Sequence, residues 1–569
     1  MNKILDHLIA LYGDEIGRAT FTRIESRIQS ARPSSSVICP PSSVLTERDA
    51  ILITYGDQIR APGALPLQTL ADFCMRHVRD VVSGIHILPF FPYSSDDGFA
   101  VMNYRAVNPS LGGWDDVAHI SEHFRLMFDA VVNHVSAQGE WFQGFLRDDP
   151  RYRDYFIVVP DGADVSRVIR PRTLPLLTRF ETPSGVKNVW TTFSADQIDL
   201  NYRNPDVLIE IIETFLFYIS HGAALIRLDA IAFLWKEPGT PCLHLPQTHR
   251  IIQLLRAVLD QVAPHVALVT ETNVPHADNL SYFGDGANEA QMVYNFALPP
   301  LVLHTFHTGD ARVLSRWAAD LTLPSRRVTF FNFLASHDGI GLNPARGILA
   351  EAEIDALVQR ARAHGGLVSY KNNPDGTTSP YELNINYFDA LNDPSAGEPL
   401  DVQVNRFIAA QSIMLSLVGV PGIYFHSLFG SRGWLEGVQQ TGHQRAINRE
   451  KLELFSLERD LATASSQRRK VFTRYAQLLR ARAEQPAFDP FGEMRVLHVD
   501  QAVFAILRGD RVLCLHNVSA QPCAVQLDPG QFSSPGRWVD LLTGESVELS
   551  PASLSSYQTL WLVRASEAE

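Results

Sequence analysis

Cysteine is scarce: the chain has five in 569 residues, Cys39, Cys74, Cys242, Cys514 and Cys523, with no pair at CxxC or metal-finger spacing. An odd, scattered set argues against a disulfide framework and predicts reduced, buried thiols of the kind kept in the cytoplasm. Positive charge is in deficit too, with 49 Lys plus Arg against 62 Asp plus Glu and a formal net charge of -13. A surface that repels phosphate gives up the sequence-independent grip on nucleic acid or anionic lipid, so neither is expected as a partner. Long apolar runs are missing: nothing approaches the roughly 20 residues of a membrane span. The opening MNKILDHLIALYGDEIGRAT is interrupted by acids before a signal-like stretch could form, which predicts a surface helix. No Gly-rich loop ending in Lys-Ser/Thr and no metal-ligand spacing occurs, so no nucleotide, pyridoxal or metal cofactor is implied. What is present is an ordinary globular composition, 46% hydrophobic and 20% charged, in a chain long enough for a large central domain and smaller ones.

Eight short apolar runs punctuate the chain: AILITYG near residue 50, GIHILPF near 85, LMFDAVVNH ending at His134, ALIRLDA around Asp229, VALVTET around Glu271, MVYNFA near 293, VTFFNFLASHD ending at Asp338, and GVPGIYF near 420. Amphipathic stretches separate several of them, notably 205 to 222 and 249 to 264, with apolar positions at helical spacing. Buried strands alternating with helices predict an α/β fold, a parallel eight-stranded (β/α) barrel, with a doubly wound open sheet as the alternative. The barrel is expected over 1–134, 200–338 and 386–484. Two irregular segments interrupt the alternation, 135–199 after the third strand and 339–385 after the seventh, and loops of this length in a compact fold serve a site or form a subdomain. From 485 to 569 short alternating segments (RVLHV, AVFAILRG, RVLCLHN, CAVQLDP, TLWLVR) predict a small antiparallel β domain.

In a parallel barrel the active face is built at the C-terminal ends of the strands, so polar residues closing apolar runs are site candidates. They are Asp96 and Asp97 after HILPFFPYSS, Asp129, Asn133 and His134 in FDAVVNH, Arg227 and Asp229 in LIRLDA, Glu271 in LVTETN, and His337 and Asp338 in FLASHD. Each alone reads equally as a helix cap or a satisfied core residue. Together they say more. Arg227 lies two residues before Asp229, on the same strand face, and a guanidinium there holds a carboxylate ionised. Glu271 closes the next strand, where a carboxyl raised by burial and by Asp229 and Asp338 can act as an acid. Two facing carboxyls of this kind are what a retaining glycosidase needs, one to attack the sugar carbon and one to protonate the departing oxygen.

DAVVNH, IRLDA, VTET and ASHD, in this order, resemble the four signature regions of the α-amylase clan of glycoside hydrolases. The resemblance implies Asp229 as nucleophile, Glu271 as acid/base and Asp338 as transition-state stabiliser, with His134, Arg227 and His337 positioning the sugar or the nucleophile. Within the clan, DDGFAVMNYRAVNPSLGGWDD and NVWTTFSADQIDL are similar to segments of the sucrose phosphorylase branch. That similarity implies Asp96 as a ligand of the glucose hydroxyls, Phe99 as an aromatic wall, and Phe193 and Gln197 beside the same sugar. Asn103 before Tyr104 departs from the hydrolytic members, which carry Asp there.

The branch resemblance also places Arg172, in IRPRTLPL, where an arginine is implicated in holding phosphate; the plainer reading is a surface salt bridge made by Arg170 and Arg172. Tyr381, in SPYELNINYFDAL, falls on the branch's mobile loop, where Glu382 replaces the usual Gln and speaks against ordinary sucrose as substrate. GVPGIYFHSLFGSRG and TGHQRAINREKLELFSLE look more like the glucosylglycerate phosphorylases of the branch. The expectation is therefore an enzyme, a hexosyltransferase acting on small molecules: phosphate plus 2-O-α-glucosylglycerate gives glucose 1-phosphate and glycerate, with inorganic phosphate as substrate and no cofactor. Arg172, Lys187 and Arg432 are the candidate cations for the acceptor carboxylate. Alternatives are a sucrose, sucrose 6-phosphate or glucosylglycerol phosphorylase, a hydrolase or transglucosidase of the same clan, and a barrel that only binds sugar, which the three retained carboxylates disfavour. The family further suggests a homodimer.

Overall fold

The computed structural model describes residues 2–31, 45–373, 375–527, 537–549 and 551–564. Eight strands close into one barrel: β1 Ile51–Thr54, β2 Gly84–Ile87, β3 Arg125–Ala130, β4 Ala223–Leu228, β5 Ala267–Thr270, β6 Met292–Tyr294, β7 Thr329–Asn332 and β8 Val420–Tyr424. Each pairs in parallel with its sequence neighbours, and β8 pairs with β1 to complete the ring. The open doubly wound sheet is thereby excluded. Strand β1 is buried along its whole length, as expected for parallel strands covered by helices outside and by one another's side chains inside.

The connections obey the same local rules. Between β3 and β4 runs helix Pro205–Ser220, which starts on an Asn204 side chain accepting the Asp206 N–H at 2.9 Å and has Pro205 at its first position, where a missing N–H costs nothing. Between β4 and β5 runs Pro246–Val262, whose Ile251, Leu254, Leu255 and Val258 face the barrel at helical spacing. At the amino end two helices, Lys3–Tyr12 and Asp14–Ala31, replace the one expected; they break at Gly13 (φ +81°) and bury Ile4 and Leu8.

The run LMFDAVVNH is not one strand. β3 ends at Ala130, and His134–Ser136 forms a separate short strand paired with Gln197–Asp199, because the chain leaves the barrel to begin the long segment that follows. That segment carries helix Glu140–Leu146 and a hairpin, Leu177–Thr182 with Gly185–Trp190. After β7, strands Leu367–Asn372 and Thr378–Asn384 pair antiparallel, and Ile340–Gly341 adds to the second of them. The carboxyl-terminal sheet has six antiparallel strands, running from Met494–Asp500 to Ser546–Val547. The CAVQLDP run lies outside it, pairing at Cys523–Val525 with Ala552–Leu554. Cys74, Cys242 and Cys514 are free and buried and Cys523 is free and half-buried, while Cys39 lies outside the described residues. Among the described residues no helix is long and apolar enough to cross a membrane.

Candidate active site

Strand register sets the centre. Leu228 of β4 pairs with Thr270 of β5, so the next residues, Asp229 and Glu271, emerge side by side at the carboxyl end of the barrel. Ala230 then takes a left-handed conformation (φ +49°), which costs a non-glycine residue energy and turns its N–H to donate to Glu271 Oε2 at 3.1 Å. Beneath them Arg227 is 1% exposed. Its Nη1 donates to Asp229 Oδ1 at 2.9 Å and also to Asp129 Oδ1, and its Nη2 lies 3.8 Å from Glu271 Oε2. Asp129 is held from its other side by His86 Nε2 at 2.6 Å. Burial pushes the Asp129 carboxyl up, but Arg227 and His86 outweigh it and bring it down to about 2, so it stays ionised and absorbs much of the guanidinium's charge.

The consequence falls on the two carboxyls above. Burial raises Asp229 well above the ordinary carboxylate range, Arg227 opposing and Glu271 adding to it; burial likewise raises Glu271, with Asp338 adding. Two carboxyls in one dry pocket do not both ionise readily, so they titrate as a pair that retains a proton. Each accepts a hydrogen bond, Asp229 from the charged Arg227 and Glu271 from the neutral Ala230 N–H, and the charge-assisted bond favours the ionised form of Asp229 more strongly, which places the pair's proton on Glu271.

Asp338, after β7, is governed the other way. Burial would raise it, but Arg445, His337, Arg449 and Arg227 together bring it well below the usual range. Arg445 Nη1 pairs with Asp338 Oδ1, and Arg449 Nη2 lies 3.7 Å from the same oxygen. His337 is buried, and that burial takes its pKa well below the usual value, so it stays neutral; its ring stacks on Phe99 at 4.8 Å with 3° between planes.

Phe99 owes its place to the turn before it. Asp96 (φ +53°), Asp97 (φ +49°) and Gly98 (φ +113°) are all left-handed, and a Cβ on Gly98 would come within 2.5 Å of Pro89 O. Arg449 holds the strained turn by an ion pair to Asp97 at 2.6 Å. Gln197 Nε2 reaches Asp96 Oδ2 at 3.3 Å, His134 Nε2 donates to Phe99 O at 2.9 Å, and the Phe193 ring packs 5.1 Å from His134.

These groups surround one cavity of about 280 Å³. Of the residues given site roles from the sequence, Asp96, Phe99, His134, Arg172, Phe193, Gln197, Asp229, Glu271, His337, Asp338, Tyr381 and Glu382 line it, whereas Asp97, Asp129, Asn133 and Arg227 do not. Glu382 is not free there: it is 2% exposed and takes Arg445 in a two-bonded pair at 2.7 and 3.2 Å. Among the described residues Arg170 and Arg172 form no salt bridge; both line the cavity instead. Two other candidates are placed away from it. Arg432 is spent on Asp389 and Gln403, both at 2.6 Å, and Lys187 sits in the hairpin Gly185–Trp190. Asn103 also lies outside the cavity and bonds the N–H of Arg105 at 2.8 Å. Sequence reading missed Arg445 and Arg449, although both stand in a segment it had quoted, and it missed Arg346 and Lys371 on the wall; no strand end or spacing marks them, only the fold. Among the described residues no group of three or more His, Cys, Asp and Glu is arranged to hold a metal.

A closed parallel barrel with three carboxylates at the carboxyl ends of strands β4, β5 and β7 is the arrangement of a glycosidase-type carbohydrate enzyme, and the α-amylase catalytic-domain family model matches residues 79–338. Over 98% of both chains this protein is 52% identical to a glucosylglycerate phosphorylase of Allomeiothermus silvanus, and it is 43% identical, over 98% of this chain and 99% of the relative, to one of Escherichia coli K12. A sucrose phosphorylase of Agrobacterium vitis is 32% identical over 77% of this chain and 88% of its own. The crystal structure of sucrose 6F-phosphate phosphorylase from Thermoanaerobacter thermosaccharolyticum superposes with a TM-score of 0.74 at 25% identity, covering 89% of this chain and 99% of that one. The chain belongs to the α-amylase family, in the branch that contains these phosphorylases.

Proposed function

We propose that the protein is a retaining α-glucoside phosphorylase that transfers glucosyl from 2-O-α-glucosylglycerate to inorganic phosphate, giving α-glucose 1-phosphate and glycerate. The observation that carries this reading is 52% identity along 98% of both chains to a glucosylglycerate phosphorylase; sucrose and glucosylglycerol phosphorylases are more distant, at 32% and 29%.

The geometry supports the following chemistry. Glucose sits against Phe99 and His337, with Asp96, His134 and Gln197 on its hydroxyls. Asp229 attacks the anomeric carbon while Glu271 gives its proton to the departing glycerate oxygen, forming a glucosyl ester on Asp229. Arg227 orients the nucleophile, and ionised Asp338 stabilises the positive charge that develops on the sugar. Glycerate leaves and phosphate enters; Glu271 takes a phosphate proton as the phosphate oxygen attacks the same carbon and the ester to Asp229 breaks. Two inversions give net retention, and Glu271 ends reprotonated. Both acceptors are anions. Arg172 and Tyr381 stand at the phosphate position.

The test is to incubate the enzyme with glucosylglycerate, with and without phosphate, and to assay glucose 1-phosphate and free glucose, running sucrose and glucosylglycerol in parallel. Phosphate-dependent glucose 1-phosphate from glucosylglycerate in preference to the others is expected. Glucose release that ignores phosphate would identify a hydrolase instead. Expected besides, on the sequence, are a cytoplasmic enzyme acting as a homodimer in carbohydrate metabolism, and a chain divided at 134/135, 199/200, 338/339, 385/386 and 484/485.

A further inference from the structure

The acceptor carboxylate needs a cation that the catalytic charges have not already neutralised. Arg445 is consumed by Asp338 and Glu382, and Arg346 by Glu351 at 2.5 Å. Among the described residues, three cations lining the cavity have no carboxylate partner: Arg170, Arg172 and Lys371. They belong to different segments. Arg170 and Arg172 precede the hairpin inserted after β3, and Lys371 lies on strand Leu367–Asn372, inserted after β7. The two segments meet, because Asn372 Nδ2, next to Lys371, donates to Thr173 O, next to Arg172, at 3.4 Å. Arg170 Nε is buried without a hydrogen-bond partner, a state that costs energy unless a ligand completes it. Lys371 is half-buried, and burial together with nearby Arg346 lowers its pKa, so an arriving anion relieves it.

We infer that Lys371, together with Arg170 on the other of the two inserted segments that line the cavity, binds the carboxylate of the glycerate acceptor and selects it over uncharged alcohols. This deepens the proposed function and rests on it. The division of labour follows from placement: Arg172, on the first insertion, stands by Tyr381, whose hydroxyl feels its charge, whereas Lys371 lies near Arg346 on its own insertion. An acceptor lacking the carboxylate leaves Lys371 and Arg170 unmatched, which penalises it more than any added contact rewards the correct one.

The experiment is transfer from glucose 1-phosphate to glycerate and, separately, to glycerol by wild type, Lys371→Gln and Lys371→Arg. The KM for phosphate is measured alongside with α-glucosyl fluoride as donor. Lys371→Gln is expected to lower the ratio of kcat/KM for glycerate to that for glycerol at least about tenfold, the scale of one charge-assisted hydrogen bond, and to raise the phosphate KM much less. Lys371→Arg should restore part of the glycerate preference. An unchanged ratio, or equal losses for glycerate and phosphate, would overturn the inference. Wild-type enzyme that transfers to sucrose's fructose but not to glycerate would overturn the proposed function itself, and that control is read before any variant.

Discussion

Arg445 binds Glu382 and Asp338 with one guanidinium, two bonds going to the first and an ion pair to the second. The residue that distinguishes this loop in the sequence is thus linked to Asp338 through an arginine. Removing it should leave Arg445 bound to Asp338 alone, tightening that pair in the ground state and weakening Asp338 toward the charge that develops on the sugar.

Glu382→Ala is therefore expected to cost about 3 kcal/mol of stability, the scale for breaking a buried pair from one side, and to lower kcat about tenfold by loss of transition-state electrostatics. Glu382→Gln, which keeps one hydrogen bond to Arg445, should lose less of each. Thermal melts and steady-state kinetics on both variants check this; unaltered kcat in the Ala variant would show that Glu382 serves folding alone.

Asp229→Asn should reduce turnover by about 10⁴-fold or more, as loss of a nucleophile does, yet it should not destabilise the protein. Because the folded carboxyl titrates above its unfolded value, the folded state binds its proton more tightly. The wild type therefore loses stability as pH rises from the ordinary carboxylate range toward the raised value. The amide removes that loss. The variant's melting temperature should equal or exceed wild type near pH 7, with the difference shrinking toward pH 4; a difference that grows on acidification contradicts the raised carboxyl.

Glu271→Gln removes the proton donor, and the effect depends on the leaving group. Glucosylglycerate, whose departing alkoxide needs a proton, should lose about 10³-fold in kcat/KM, whereas α-glucosyl fluoride should lose far less, general acid catalysis contributing about 10²–10⁴-fold. Wild-type activity on glucosylglycerate should fall as pH rises through the elevated Glu271 titration, and the variant should lack that limb. Parallel pH profiles for the two proteins would reassign the acid.

How far the sequence could be read varies with the range of the interactions. The eight strands were legible because each is a short run of buried residues broken by at most one half-buried position, and burial on both faces writes itself as nearly continuous hydrophobicity. Asp229, Glu271 and Asp338 were legible because they close such runs. The break after Ala130 was not, since Val131 and Val132 stay buried after the strand has ended. Nor was the sharing of Arg227 between Asp129 and Asp229, which depends on a neighbouring strand's register. Arg445 and Lys371 could not be chosen among 49 basic residues, because what marks them is which carboxylates they meet or fail to meet, and those come from segments tens of residues away.

Arg172 offers the sharpest separation of phosphorolysis from hydrolysis. It lines the cavity without an ion pair among the described residues, beside Tyr381, and burial lifts that phenol above its usual pKa, so it stays a hydrogen-bond donor at neutral pH. Under the proposed function, a guanidinium that takes phosphate by two parallel bonds would contribute to the second step alone, after the glucosyl ester has formed. With α-glucosyl fluoride as donor, Arg172→Ala should therefore raise the phosphate KM about tenfold or more. Release of free glucose in the absence of phosphate should continue at close to the wild-type rate, because Asp229, Glu271 and Asp338 are untouched. Arg172→Lys should recover only part of the loss, a point charge lacking the planar fork. Equal losses of phosphorolysis and hydrolysis would place Arg172 in the first step and leave the phosphate without its proposed ligand.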